Sequence, residues 1–165
     1  MIVLGGDPGT AITGWGVVET IRDSEFIVRG YGAIITKSTT PFPERLKIIH
    51  HELRKIIHTH RPEEAAVEEL FFAKNVKTAL TVGQARGVVM LTAIEEDLDV
   101  YEYTPLQIKQ AVVGYGRADK MQMQKMVKVL LHLPEIPKPD DVADALAVAF
   151  THINCGNYQK RVGHR

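Results

Sequence analysis

The sequence predicts an α/β fold: a mixed five-stranded sheet in the order βββαβαβ, followed by more helices, with helices on both faces. Three observations predict it. Residues 2–7, "GWGVVET" and "EFIVRGYGAIIT" are strand-like runs broken by turn residues. Two further short runs, "AAVEEL" and "VYEY", alternate with stretches of helical periodicity. No repeat, low-complexity stretch or interdomain linker intervenes, and 165 residues suit one domain, taken as 1–165, with the role of the tail after about 152 left open.

The elements follow in order. The first strand ends on Asp7, and Pro8-Gly9 turns the chain at once. Thr13-Gly14 leads into the second strand, and Asp23-Ser24 turns it into the third, so the three form an antiparallel meander. Over 43–60, Leu46, Ile49, Leu53 and Ile56 recur at helical spacing behind Pro43. Residues 65–70 read as a buried fourth strand, and 76–96 as a long helix with Asn75 as N-cap. After the fifth strand at 100–103, Thr104-Pro105-Leu106-Gln107 has the form of a capping box with proline at the first helical position, and that helix ends near Gly114. "DKMQMQKMVKVLLHL" and "DDVADALAVAFTHI" are the last two helices.

Composition narrows the class. With 45% hydrophobic and 24% charged residues the chain reads as a soluble globular protein, and no apolar run is long enough to span a bilayer. Met1 leads straight into a strand, without the basic start of a signal peptide. Cys155 is the only cysteine, which excludes an intrachain disulfide and a cysteine zinc site and fits a reducing cytoplasm. Net charge is zero, yet Lys109, Arg117, Lys120, Lys125 and Lys128 are opposed only by Asp119 between residues 105 and 132. Taken alone, this basic third reads as a solvated helix face; it also suffices to hold a polyanion.

The acids define the chemistry. Asp7 closes one strand; Glu68 and Glu69 lie in another, where alternation lets only one face Asp7; Asp140, Asp141 and Asp144 open the last helix. Asp144 shares a helix face with either Asp140 or Asp141. Three distant segments thus each offer a carboxylate at an element's end, the hard oxygen donors that Mg²⁺ takes together with water and phosphate. The residues leave a second reading open: a turn former at Asp7, dipole-favoured carboxylates at the helix start and a strand edge at Glu68-Glu69.

Four segments resemble the RuvC family of Holliday junction resolvases, members of the ribonuclease H-like superfamily. They are "LGGDPGTAITGWGVV", "AAVEELFFAKNVKTALTVGQARGVV", "EYTPLQIKQAVVGYGRADKMQMQKMV" and "KPDDVADALAVAFTH", in the family's order and spacing from near residue 2 to near 152. The resemblance implies a homodimeric structure-specific endodeoxyribonuclease of the bacterial cytoplasm. It would resolve four-way DNA junctions by paired symmetric nicks in recombination and repair, beside a branch-migration helicase complex. It implies two Mg²⁺ ions per subunit, with Mn²⁺ able to substitute, held by Asp7, Glu68, Asp141 and Asp144, which are also the catalytic set. Lys109 and Lys120 would lie near the DNA, and Phe71 would contact a base at the exchange point. The family pattern Asp-x-x-Asp-Ala-Leu selects Asp141 over Asp140, which follows Pro139 and is free to act as an N-cap. Gly6 departs from the family, which has a bulky aliphatic there. Two rivals remain: a non-catalytic junction-binding module, and an actin-like ATPase or kinase fragment, whose first phosphate loop "DPGTAITGWG" also resembles. The second would need another lobe, for which 165 residues leave no room.

Other features read structurally or as contacts. Ala79, Gly83 and Gly87 form a small-residue stripe that the resemblance makes a dimer seam and that otherwise packs on the sheet. His50, His51, His58 and His60 read as solvated surface residues, and Met121, Met123 and Met126 as core and face fillers.

Overall fold

A computed structural model describes residues 1–22, 25–69 and 76–162, with side chains as far as residue 156. The strands are β1 (Ile2–Asp7), β2 (Ile12–Arg22), β3 (Glu25–Ile35), β4 (Glu64–Glu68) and β5 (Asp99–Tyr103). The helices are α1 (Phe42–His60), α2 (Val76–Glu95), α3 (Pro105–Val113), α4 (Lys120–Leu130) and α5 (Asp140–Val162). The sheet order is β3-β2-β1-β4-β5; β1, β2 and β3 pair antiparallel, and β4 pairs parallel with β1 and with β5. This is the predicted mixed sheet. The predicted turn at Asp23-Ser24 and N-cap at Asn75 fall outside the described residues. Among the described residues no helix is long and apolar enough to cross a membrane.

Strand alternation splits the interior into two cores. Val3, Val18 and Ala66 point to one face, under α3, α4 and α5; Leu4, Val17 and Val67 point to the other, under α1 and α2. β1 is therefore covered on both faces, and its C-terminal tip is where a side chain emerges from the sheet. α5 lies directly on β1 and β2 because glycines leave room for its backbone. A Cβ at Gly5 would stand 2.0 Å from the Ala145 carbonyl oxygen, and one at Gly14 would stand 2.0 Å from that of Asp141. The first turn of α5 is thereby set beside the β1 tip.

Caps place the other functional helices. The predicted box at α3 is present: Thr104 Oγ1 accepts from Gln107 N at 3.1 Å, and Gln107 Oε1 accepts from Thr104 N at 2.8 Å. A second box, Asp119 with Gln122, starts α4 and puts Lys120 at its first position. α5 is longer than the pattern predicts, running past Gly156 to Val162. Glycine costs about 1 kcal/mol in a helix interior, which is why the pattern stops near residue 153. Gly6 is accommodated: a Cβ there would meet Val67 and Val89 at 3.5 and 3.7 Å, ordinary van der Waals contact.

Candidate active site

Asp7 ends β1 opposite Gly14 of β2, and Glu68 ends the parallel neighbour β4. Asp141 and Asp144 lie one turn apart on α5, both half-buried. These four acids act on one another. The Asp7 carboxyl is pushed up to about 7, by burial first and then by Asp144, Asp141 and Glu68, with Lys120 opposing. Burial and Asp144 raise Glu68 against the pull of Lys109. Burial also raises Asp144, in opposition to Lys120 and reinforced by Asp141 and Asp140. Crowded carboxylates with too little countercharge hold protons that water would remove. Among the described residues no three histidine, cysteine, aspartate or glutamate side chains are gathered closely enough to form a closed metal site by themselves. The acids converge at electrostatic range, around an open mouth.

Asp140 is not an N-cap. α5 begins at Asp140 itself, and the first turn closes from Val142 N to the Pro139 carbonyl at 3.0 Å. With its side chain exposed, Asp140 turns the other way, to Lys120 Nζ at 3.1 Å, and Lys120 together with Gln124 holds its carboxyl below the usual range. Lys120 Nζ also stands 3.8 Å from Asp144. Lys109 and Lys120 border a cleft of about 190 Å³ that Glu68 and Asp144 close from the other side. Phe71 lies outside the described residues.

The small-residue stripe divides. Ala79 is buried within the chain, whereas a Cβ at Gly87 would meet nothing within 4 Å. The exposed face of α2 is instead an apolar row of Val76, Leu80, Leu91 and Ile94. The histidines divide too. His51 and His58 are exposed, but His50 is half-buried with Nδ1 2.9 Å from Thr92 Oγ1, and His60 packs on the Trp15 ring at 5.5 Å. Of the methionines, Met123 is core, Met126 packs beside it and Met121 is exposed.

One positioning group escapes sequence reasoning. Arg86 of α2 donates through Nε to the Glu68 carbonyl at 3.2 Å and through Nη2 to Glu102 at 2.6 Å, fixing the tip of β4. The available signal was its isolation: between Lys77 and Glu95 it is the one charged residue of the helix.

The comparisons agree with this geometry. The family model described as crossover junction endodeoxyribonuclease RuvC matches residues 3–152. The crossover junction endodeoxyribonuclease RuvC of Alkaliphilus oremlandii is 58% identical over 158 residues, 96% of each chain. Among solved structures, Thermus thermophilus RuvC in complex with Holliday junction substrate superposes with a TM-score of 0.91 at 39% identity, covering 96% of both chains. The yeast mitochondrial Holliday junction resolvase, at 17% identity and a TM-score of 0.69 over 98% of this chain and 80% of that one, shares the fold. The mixed sheet with helices on both faces is ribonuclease H-like, and the chain belongs to the RuvC family of crossover junction endodeoxyribonucleases.

Proposed function

We propose that this chain, as one domain, nicks four-way DNA junctions in symmetric pairs by metal-dependent phosphodiester hydrolysis, with two Mg²⁺ ions per subunit and Mn²⁺ able to replace them. The observation that carries this reading is the raised Asp7 carboxyl among Glu68, Asp141 and Asp144. The donor set fits a divalent cation. It is hard oxygen only, and a cation relieves the repulsion that now pushes its protons on. Asp7, central in the sheet, would hold the cations together with Glu68, Asp141 and Asp144. A divalent cation bound there would supply a more acidic water and charge to stabilise the departing oxygen. The chain's own residues do the remainder: strand ends hold the acids rigidly, Lys109 and Lys120 offset phosphate charge, and no side-chain nucleophile is required.

The test is a labelled synthetic four-way junction incubated with and without Mg²⁺. Symmetric nicks that require metal are expected. Binding without nicking would support a non-catalytic module, and ATP turnover without nicking would support a kinase-like activity.

A junction presents two equivalent strands, which suits a two-fold homodimer. The exposed row Val76, Leu80, Leu91 and Ile94 supports α2 as its seam, with Gly87 allowing close approach. Leu91→Asp should give monomers in sedimentation and abolish paired nicking. Phe71 is assigned to stacking on a base at the exchange point, worth about 1–3 kcal/mol. The family resemblance adds a branch-migration helicase complex as partner and the bacterial cytoplasm as compartment.

A further inference from the structure

The loop after Asp7 borders a second cavity, on the side of the hairpin facing α1 and α2. It measures about 420 Å³ and is walled by Ile12, Phe42, Arg45, Thr81, Val82 and Asp141. Sites for small ligands run to about 300–1,000 Å³. Asp141 belongs both to this wall and to the acidic centre, so whatever fills the cavity lies next to that centre.

The cavity is built rather than incidental. Thr10 Oγ1 donates to the Thr81 carbonyl at 3.0 Å, tying the loop to α2. Thr36, only 5% exposed, donates through Oγ1 to the Thr10 carbonyl at 2.5 Å and accepts from Arg45 Nε at 2.8 Å. Thr13 Oγ1 closes the loop on the Gly9 carbonyl at 2.7 Å. Arg45 is thereby oriented through Nε, while its terminal amino groups have no hydrogen-bond partner among the described residues. A half-buried guanidinium held by one nitrogen presents its remaining donors in a fixed plane.

We propose that this cavity seats a nucleobase of the cleaved strand, beside the scissile bond, and that Arg45 reads its edge. The proposal rests on the nuclease reading above and names a site within it. Ile12, Phe42 and Val82 supply carbon surface and one aromatic ring, which suit the flat face of a base. A second phosphate is disfavoured, because the Thr10 hydroxyl is spent on the Thr81 carbonyl, the Thr81 hydroxyl on the Thr78 carbonyl, and Asp141 adds negative charge to the wall. Arginine only donates, so the edge it reads carries acceptors: O6 and N7 of guanine, or a carbonyl oxygen of thymine.

The test walks a single abasic site through the nucleotides flanking the scissile bond and compares nicking by the wild type, Phe42→Ala and Arg45→Gln at saturating junction. One abasic position should slow the wild type by about tenfold or more, yet slow Phe42→Ala by less than about twofold beyond its own defect. Arg45→Gln should flatten the preference for guanine or thymine at that position. A 2-aminopurine placed there should change its fluorescence on binding to wild type without metal, and change less with Phe42→Ala. Melting curves confirm that each variant is folded. Abasic profiles that are equally deep in all three proteins would overturn the proposal. So would an Arg45→Gln defect that is uniform over sequences and lowers the salt slope by about one, which marks a phosphate contact. A wild type that nicks no junction would fail the nuclease reading instead, while the fluorescence still reports whether a base is seated.

Discussion

α5 presses two polar clusters against the sheet, one at its first turn and one near its middle, and they are built in opposite ways. At its N-terminal end Asp7, Glu68 and Asp144 hold protons above the usual carboxylate range, with the Asp141 charge adding to the repulsion on Asp7 and Asp144. Near the middle of α5 lies His152, 5% exposed, with Nε2 2.5 Å from Glu64 and Nδ1 2.7 Å from the Tyr103 hydroxyl. The Glu64 carboxylate accepts from Nε2–H, and in the neutral imidazole Nδ1 accepts from the Tyr103 hydroxyl. The Tyr101 ring covers the imidazole at 4.4 Å. Both clusters draw on one row of β4, since Glu64 and Glu68 alternate onto the same face, and Tyr101 and Tyr103 lie on that face of β5. One is satisfied internally and binds α5 down; the other is left unsatisfied, which is the mark of a group awaiting a ligand.

The largest expected effect tests the unsatisfied cluster. Asp7→Asn should lower junction nicking by at least about a hundredfold, the scale on which a preorganised electrostatic group acts, while junction binding holds or tightens. Nicking rates compared under single-turnover conditions decide it, and wild-type rates in the variant would move the active site elsewhere.

The next prediction separates neighbours within that cluster. Asp141→Asn should nearly abolish metal-dependent nicking in a folded protein. Asp140→Ala should keep much of the activity and leave the melting temperature little changed, because its exposed carboxylate serves only Lys120 and Gln124. A metal titration of both variants gives the answer; the reverse ranking would mean that α5 presents its acids one residue out of register.

A third prediction follows from the sign of the Asp7 shift. Its folded value of about 7 lies above the ordinary aspartate value of 3.8, so the folded state holds the proton more tightly. The destabilisation is absent below about pH 4 and grows as pH rises toward 7. In EDTA, Asp7→Asn should therefore melt progressively higher than wild type across that window. The full shift bounds the gap at about 4 kcal/mol, and water at the open mouth reduces it to roughly 2. Added Mg²⁺ should narrow the gap by stabilising the ionised wild type. A gap that is constant from pH 4 to 7.5 would show that Asp7 is not strained by its neighbours.

The two clusters also differ in how far the sequence reveals them. Strand alternation, capping signals and turn residues predict every described element, and they put each acid of the candidate site at an element's end. The choice between Asp140 and Asp141 is not legible locally, because both lie within reach of Asp144 on a helix. Lys120, brought over by α4, pairs with Asp140 and leaves Asp141 to the proposed site. The Glu64–His152 pair spans 88 positions and depends on β4 and β5 register as well as on where α5 lies. No local pattern encodes that combination, and His152 reads simply as the end of "AFTH". Arg86 is hidden for the same reason: its acceptors are a carbonyl on β4 and a carboxylate on β5.

The smallest effect tests the satisfied cluster. Tyr103→Phe keeps the ring in its core and removes only the hydroxyl facing His152. It leaves Nδ1 without its donor in a buried setting, a cost of about 1–3 kcal/mol. Tyr103 is also the register partner of Glu68, and its carbonyl accepts from Glu69 N at 2.8 Å. The backbone bond survives the substitution, so the tip of β4 should stay in place and single-turnover nicking should change by less than about twofold. A lower melting temperature with unchanged nicking is therefore expected. If nicking fell more steeply than stability, the hydroxyl network would reach Glu68, and the two clusters would be a single coupled device rather than a clasp and a site.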